Sequence, residues 1–190
     1  RRSWKLRSDG EQVLLRETLP RFDLTTRQIE NILSEERERN SLAATVEQIA
    51  ENPYVLCEQY VGDDVDDAIS FSRIDHGVLP SPDLGGEFLL EHDGWERLRG
   101  LCVTRLRSEA THTFASSAAV LHQINHRLSQ LPEWKTHQYN ERYLEVDRED
   151  LEGALVFREH GGQEYMYLRD VYTDEREVER VFRDLTGRPD

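Results

Sequence analysis

A mainly α-helical chain that closes in a small α+β unit is what this sequence predicts, and three observations predict it. Apolar residues recur at three- and four-residue spacing through much of the first 131 positions. Helix-start signatures precede several of those stretches: Thr25 with Gln28 and Asp93 with Glu96 read as capping boxes, and Asn52-Pro53 as N-cap and first helical position. Only late in the chain does a β pattern appear, where FREHGGQEYMYL sets Gly161-Gly162 between two β-capable arms.

A first helix is expected over 8–19, stopped by Pro20. A second starts at Thr25 and turns Ile29, Ile32 and Leu33 inward, and a third over 42–50 buries Val46 and Ile49. The fourth runs from Pro53 to about Tyr60, where Gly62 breaks it; 66–72 adds a further turn, and 76–93, with Pro80, Pro82, Gly77, Gly85 and Gly86, reads as a long loop. The helix after Asp93 buries Trp95, Leu98, Leu101, Cys102 and Leu106, and 116–131 forms another with Val120, Ile124 and Leu128 inward. Beyond Pro132 a short strand is expected at 143–146. Asp147 then caps a helix holding Leu151, Ala154 and Leu155, the hairpin follows, and Thr173 caps a last helix with Val178, Val181, Phe182 and Leu185 on one face. Helix, helix, hairpin, helix is the order of a winged-helix-like unit. The domains expected are 8–131 and 132–187.

With 37% hydrophobic residues in 190, the chain is long enough to bury a real core. No apolar run approaches the roughly 20 residues of a membrane span, and the start RRSWKLRSDGEQ lacks the apolar centre of a signal peptide. The first residue is not Met, which reads as a piece of a longer protein. Cys57 and Cys102 sit in apolar helical patterns as reduced thiols, pointing to a cytoplasmic setting. The net charge of −14 excludes bulk electrostatic attraction to nucleic acid, so any phosphate contact must come from local patches. Those patches would be arginine, because Lys5 and Lys135 are the only lysines among 24 basic residues.

Chemistry-bearing motifs are few. There is no phosphate-binding G-x-x-x-x-G-K-[ST] loop and no G-x-S-x-G nucleophile elbow. His122 and His126 share a helical face like half of an H-E-x-x-H zinc site, but Gln123 stands where the base would be, and they read as surface histidines. Asp63, Asp64, Asp66 and Asp67 could hold Mg²⁺, and D-V-D-D-A is similar to the D-x-D-D-A of RNase II-type exoribonucleases. The upstream carboxylate of that motif falls at Glu58 inside an expected helix, so the knot reads as a solvated acidic turn. No catalytic or metal-binding residue is assigned; a metal-dependent nuclease fragment is the least favoured reading.

Three segments in order carry a family resemblance: Ile49-Ala50-Glu51-Asn52-Pro53-Tyr54-Val55-Leu56; Arg97-Leu98-Arg99-Gly100-Leu101 with His112-Thr113-Phe114; and the helix–hairpin–helix from Asp147 to Leu185. Together they resemble the N-terminal accessory region of RecD-like superfamily 1 DNA helicases (exodeoxyribonuclease V alpha-like proteins), over roughly 42–185. The resemblance implies a helical bundle with a degenerate helix-hairpin-helix, followed by the winged unit. It implies a non-catalytic role in DNA repair: binding or guiding DNA and bracing the ATPase motor of the parent chain, with ATP and Mg²⁺ used there and no cofactor here. Where that family has a G-[IV]-G-F-type hairpin this chain has Gly62-Asp63-Asp64-Val65-Asp66-Asp67, whose carboxylates repel phosphate. The DNA contacts expected are therefore Arg97, Arg99, Arg105 and Arg107 on one helix, of which at most two share a face, Thr113 in the turn after it, and Arg158, Gly161 and Gly162 at the hairpin; the alternatives are solvated or acid-paired arginines, a helix cap at Thr113 and a plain hairpin turn. Tyr165 and Tyr167 are expected to pack on the last helix, with base stacking as the alternative. The rival reading is a protein-interaction module without DNA contact, which the acidic charge favours.

Overall fold

The computed structural model describes residues 7–62, 67–108 and 114–186. The chain is mostly helical, with one three-stranded antiparallel sheet. It divides into two compact units, Arg1–Gly100 with Pro132–Thr136, and Leu101–Leu131 with His137–Asp190. Neither unit is continuous in sequence, unlike the expected division at 131/132. The short segment Pro132–Thr136 stays with the first unit because the Lys135 ammonium donates to the Asp75 backbone carbonyl at 2.9 Å, and the Lys135 carbonyl accepts from Arg97 at 2.9 Å.

In the first unit, Ser8 and Glu11 form a capping box that starts α1 (Asp9–Val13). The single helix expected over 8–19 is three short pieces, α1, a π turn Leu14–Thr18 and a 3₁₀ turn Leu19–Phe22, with Pro20 admitted in the first positions of the last. α2 (Thr26–Ile32) has the expected Thr25–Gln28 box, and the buried Gln28 amide also donates to the Asp67 carbonyl at 2.9 Å. α3 (Val46–Glu51) begins later than expected, because Thr45 and Gln48 make its capping box and leave Leu42 buried in the preceding loop. Asn52 accepts from the Tyr54 amide at 3.0 Å, so Asn52-Pro53 is a turn ahead of α4 (Val55–Gln59) and not its first helical residues. Ser70 caps α5 (Phe71–Val78), which takes in His76 and Gly77, read from the sequence as loop. Leu14, Ile32, Ile49, Leu56, Ile74 and Leu98 form the fully buried centre.

α6 (Trp95–Arg107) passes from the first unit into the second, where Leu101, Cys102, Val103 and Leu106 are buried. β1 (Phe114–Ser116) follows, then α7 (Ser117–Leu128), whose N-cap is Ser116. The strand expected at 143–146 is instead α8 (Glu141–Val146). Asn140 caps it by accepting from the Arg142 amide at 3.0 Å, and Tyr143 packs edge-on against Tyr139 and His137. α9 (Arg148–Leu151) is one turn long; Leu155, expected in that helix, opens β2.

β2 (Leu155–His160) and β3 (Gln163–Leu168) form the expected hairpin, with Gly161 and Gly162 at φ 61° and 76°. Two successive positive φ angles define the turn that suits tight hairpins and favour glycine at both positions. β1 pairs antiparallel to β3, so the sheet order is β1-β3-β2. Leu155, Phe157, Met166 and Leu168 fill the inner face. α10 (Arg169–Thr186) starts before Thr173, whose hydroxyl donates back to the Arg169 carbonyl at 2.8 Å. Its Val178, Val181, Phe182 and Leu185 are exposed and form no core face among the described residues. Among the described residues, no helix is long and apolar enough to cross a membrane.

Candidate nucleic-acid interface

The arginines singled out in the sequence do not act together. Arg97 is completely buried. Its Nε donates to Asp75 Oδ1 at 2.8 Å and its Nη1 to the carbonyls of His92 (2.7 Å) and Lys135 (2.9 Å). The Tyr54 hydroxyl donates to the same Asp75 oxygen at 2.8 Å, and the Lys135 ammonium lies 3.2 Å from Asp75 Oδ2. Burial pushes the Asp75 carboxyl up, but the charge and hydrogen bond of Arg97, then Lys135 and Tyr54, outweigh it and hold the group below its ordinary value. Arg99 is bound through Nε to both carboxylate oxygens of the buried Glu58, at 3.1 and 3.2 Å, and lies over the Trp95 ring. Neither guanidinium is presented to solvent as a phosphate contact. Two of the motifs that carry the family resemblance thus meet inside the first unit: Tyr54 and Arg97 share one carboxylate.

The other candidates lie in the second unit. Arg105 bonds Gln123 and Ser108, and Arg107 lies 3.7 Å from Asp170. Thr113 and His112 lie outside the described residues, as do Asp63, Asp64 and Asp66. Asp67, read as part of a solvated turn, is buried, and its carboxylate accepts from the Tyr60 hydroxyl at 2.9 Å. Gly62 presses against it: a Cβ there would lie 2.4 Å from Asp67 Cβ. His122 and His126 are both exposed on α7.

Arg158, Gly161 and Gly162 belong to the hairpin, and pairing there sorts the side chains into two faces. Residues 155, 157 and 159 oppose 168, 166 and 164; residues 156, 158 and 160 oppose 167, 165 and 163, with Phe114 and Ser116 joining this second set through β3. The first set carries the core residues and also Glu159 and Glu164. The outer set presents Phe114, Tyr165, Tyr167, Arg158 and His160, with no carboxylate at any strand position. Phe114 stacks on Tyr167 with ring centroids 5.1 Å apart and meets Tyr165 edge-on at 5.7 Å. Tyr172, from the first turn of α10, stands edge-on to Tyr167 at 5.3 Å and lies under the Arg158 guanidinium. Arg158 donates to the Tyr172 hydroxyl and the Phe157 carbonyl and has no carboxylate partner among the described residues.

Electrostatics differ sharply across the unit. From Glu141 to Glu152, α8 and α9 carry six acids (Glu141, Glu145, Asp147, Glu149, Asp150, Glu152) against Arg142 and Arg148. Partial burial, then the neighbouring Asp150 charge, push the Asp147 carboxyl above its ordinary value. A cleft of about 310 Å³ between α8 and the hairpin tip is lined by Glu141, Glu145 and Glu164, with Arg148 tied to Glu164 at 2.7 Å. A phosphate there would meet several carboxylates.

Phe114 enters the sequence reading only as part of the resemblance, and its strand goes unread because three residues carry no readable period. The Tyr165-Met166-Tyr167 alternation does announce two faces, and only the register shows that the tyrosines take the outer one. No family model, no curated protein and no solved structure matches this chain.

Proposed function

We propose that the chain is a non-catalytic accessory module of a RecD-like DNA-processing helicase, in which the first unit is a structural brace and the second meets DNA. The observation that carries this reading is the element order of the second unit. The second half of α6, β1, α7, α8 with α9, then β2, a tight tip and β3, in a sheet ordered β1-β3-β2, is the order of a winged helix, with Gly161-Gly162 at the wing. The helix-hairpin-helix description of the first unit belongs to the same proposal; there α4 and α5 flank the acidic segment. Because α8–α9 is acidic, contact by way of the hairpin fits better than a helix laid in a duplex groove.

A second reading has its own support. The acidic α8–α9 cleft and the exposed apolar stripe of α10 suit a protein-interaction module that never touches DNA. Titration with labelled forked DNA separates the two. Under the first reading, affinity falls about tenfold between roughly 50 and 200 mM salt, as expected for about two neutralised phosphates. No binding at the lower salt concentration sinks the first and favours the second.

A further inference from the structure

We infer that the outer face of the second unit's sheet is a stacking platform for the bases of an unpaired DNA strand, with Phe114, Tyr165 and Tyr167 as the rings and Arg158 as the phosphate contact. This rests on the reading that the chain meets DNA, and it names the strand and the surface.

Three features of the face select that occupant. The accessible apolar side chains of the face are aromatic, its aliphatic member Val156 being buried: Phe114 is 40% exposed, and Tyr165 and Tyr167 are half-buried with ring centroids 5.7 and 5.1 Å from Phe114. A planar base can lie on such rings irrespective of its identity, and that is how proteins hold single strands without reading sequence. Its charge is opposite in sign to that of the chain: in a protein of net charge −14, every strand position on this face is neutral or basic, while the hairpin's Glu159 and Glu164 point to the other side. Arg158, held by the Tyr172 hydroxyl and ring, stands beside the aromatic row with no carboxylate partner among the described residues. A duplex is a poor occupant, since its bases are already stacked and it cannot give its ring faces to the tyrosines.

The test is binding of labelled oligothymidylate to the 190-residue chain, followed by anisotropy, with an abasic oligonucleotide of the same length, oligouridylate and duplex DNA in parallel. Leucine keeps apolar bulk and removes the ring, so Phe114→Leu and Tyr165→Leu are each expected to weaken oligothymidylate binding about tenfold. Arg158→Gln is expected to lower the salt dependence by the equivalent of about one phosphate. The abasic strand and the duplex should bind more weakly than oligothymidylate. Far-UV circular dichroism checks that each variant is folded. Photo-crosslinking of an iodouracil-substituted strand to the unsubstituted protein, mapped by mass spectrometry, is expected to mark Phe114, Tyr165 or Tyr167 and does not depend on any variant. If the abasic strand binds as tightly and the crosslinks fall elsewhere, the platform is refuted while forked-DNA binding still supports the broader reading. Tighter binding of oligouridylate than of oligothymidylate overturns the assignment to DNA. If no DNA of any kind binds at low salt, both fail.

Discussion

Asp75→Asn is expected to destabilise the first unit by about 3–5 kcal/mol, the cost of leaving buried charge without its partner. Against a typical total of about 5–15 kcal/mol, that is a large share of the stability of a domain. One carboxylate serves two cations here, Arg97 and Lys135, and also accepts the Tyr54 hydroxyl. Asparagine keeps the shape and strips the countercharge from both. Arg97→Met should cost less, because Lys135 still faces the Asp75 carboxylate; the buried carbonyls of His92 and Lys135 then lose a donor, so the cost is not small. The order of the two variants therefore tests whether Asp75 is the hub. Urea unfolding followed by tryptophan fluorescence reads the first unit, to which Trp95 and Trp134, the tryptophans among the described residues, both belong. A loss for Asp75→Asn below about 1 kcal/mol, the ordinary worth of a single hydrogen bond, would show that the cluster is not a charge lock.

The same carboxylate gives a pH signature. Its folded value lies below the 3.8 of a free aspartate, so folding favours the ionised form. The stabilisation is therefore complete above pH 3.8 and is lost as pH falls from there through the folded value. The stability gap between the unsubstituted protein and Asp75→Asn is expected to be constant from neutral pH down to about 4 and to narrow below it. A gap that stays constant at lower pH would mean the proton is not excluded from Asp75.

How much of this was legible beforehand depends on which physical signal a residue leaves. Capping boxes are local and survived intact at Thr25–Gln28, while the hairpin was announced by Gly161-Gly162 because two consecutive positive-φ positions leave little choice of residue. The apolar period placed Leu98, Leu101, Cys102 and Leu106 correctly in a core. That period says nothing about polar side chains inside: the sequence offers Arg97, one step from Leu98, as a DNA contact or an acid-paired residue without naming the acid, and the partner, Asp75, lies 22 residues earlier in the chain. At 143–146 four residues carry too short a pattern to separate strand from helix, and the Asn140 cap decided it. In α10, Val178, Val181, Phe182 and Leu185 have the spacing of a core face and are exposed; period reveals an amphipathic helix but not whether anything covers it. Tyr165 and Tyr167 are the opposite case, visible as an aromatic alternation whose outward facing only the register of β3 settles.

Gly77→Ala is expected to be the second most damaging change, at about 2–3 kcal/mol, although alanine is the better helix former by about 1 kcal/mol. Glycine at 77 reads from sequence as a loop signal, but it is helical and buried within α5, where α5 crosses the 3₁₀ turn Leu19–Phe22. A Cβ there would lie 2.5 Å from the Arg21 carbonyl oxygen and 2.5 Å from Phe22 Cδ1. The first obstacle is backbone, and the second is a ring only 1% exposed, so neither can step aside without moving the turn off the helix. Gly10→Ala is the matched control. It too lies in a helix, but its Cβ would meet only the carboxylate end of Glu47, at 2.8 Å, which can swing away, and this variant is expected to be neutral or stabilised by up to about 1 kcal/mol. Because the tryptophans report the first unit, both are read in the same urea titration. If Gly77→Ala is as stable as Gly10→Ala, the close crossing of α5 over Leu19–Phe22 is wrong. A selective loss at Gly77 places that crossing among the contacts that fix the first unit, independently of any ligand.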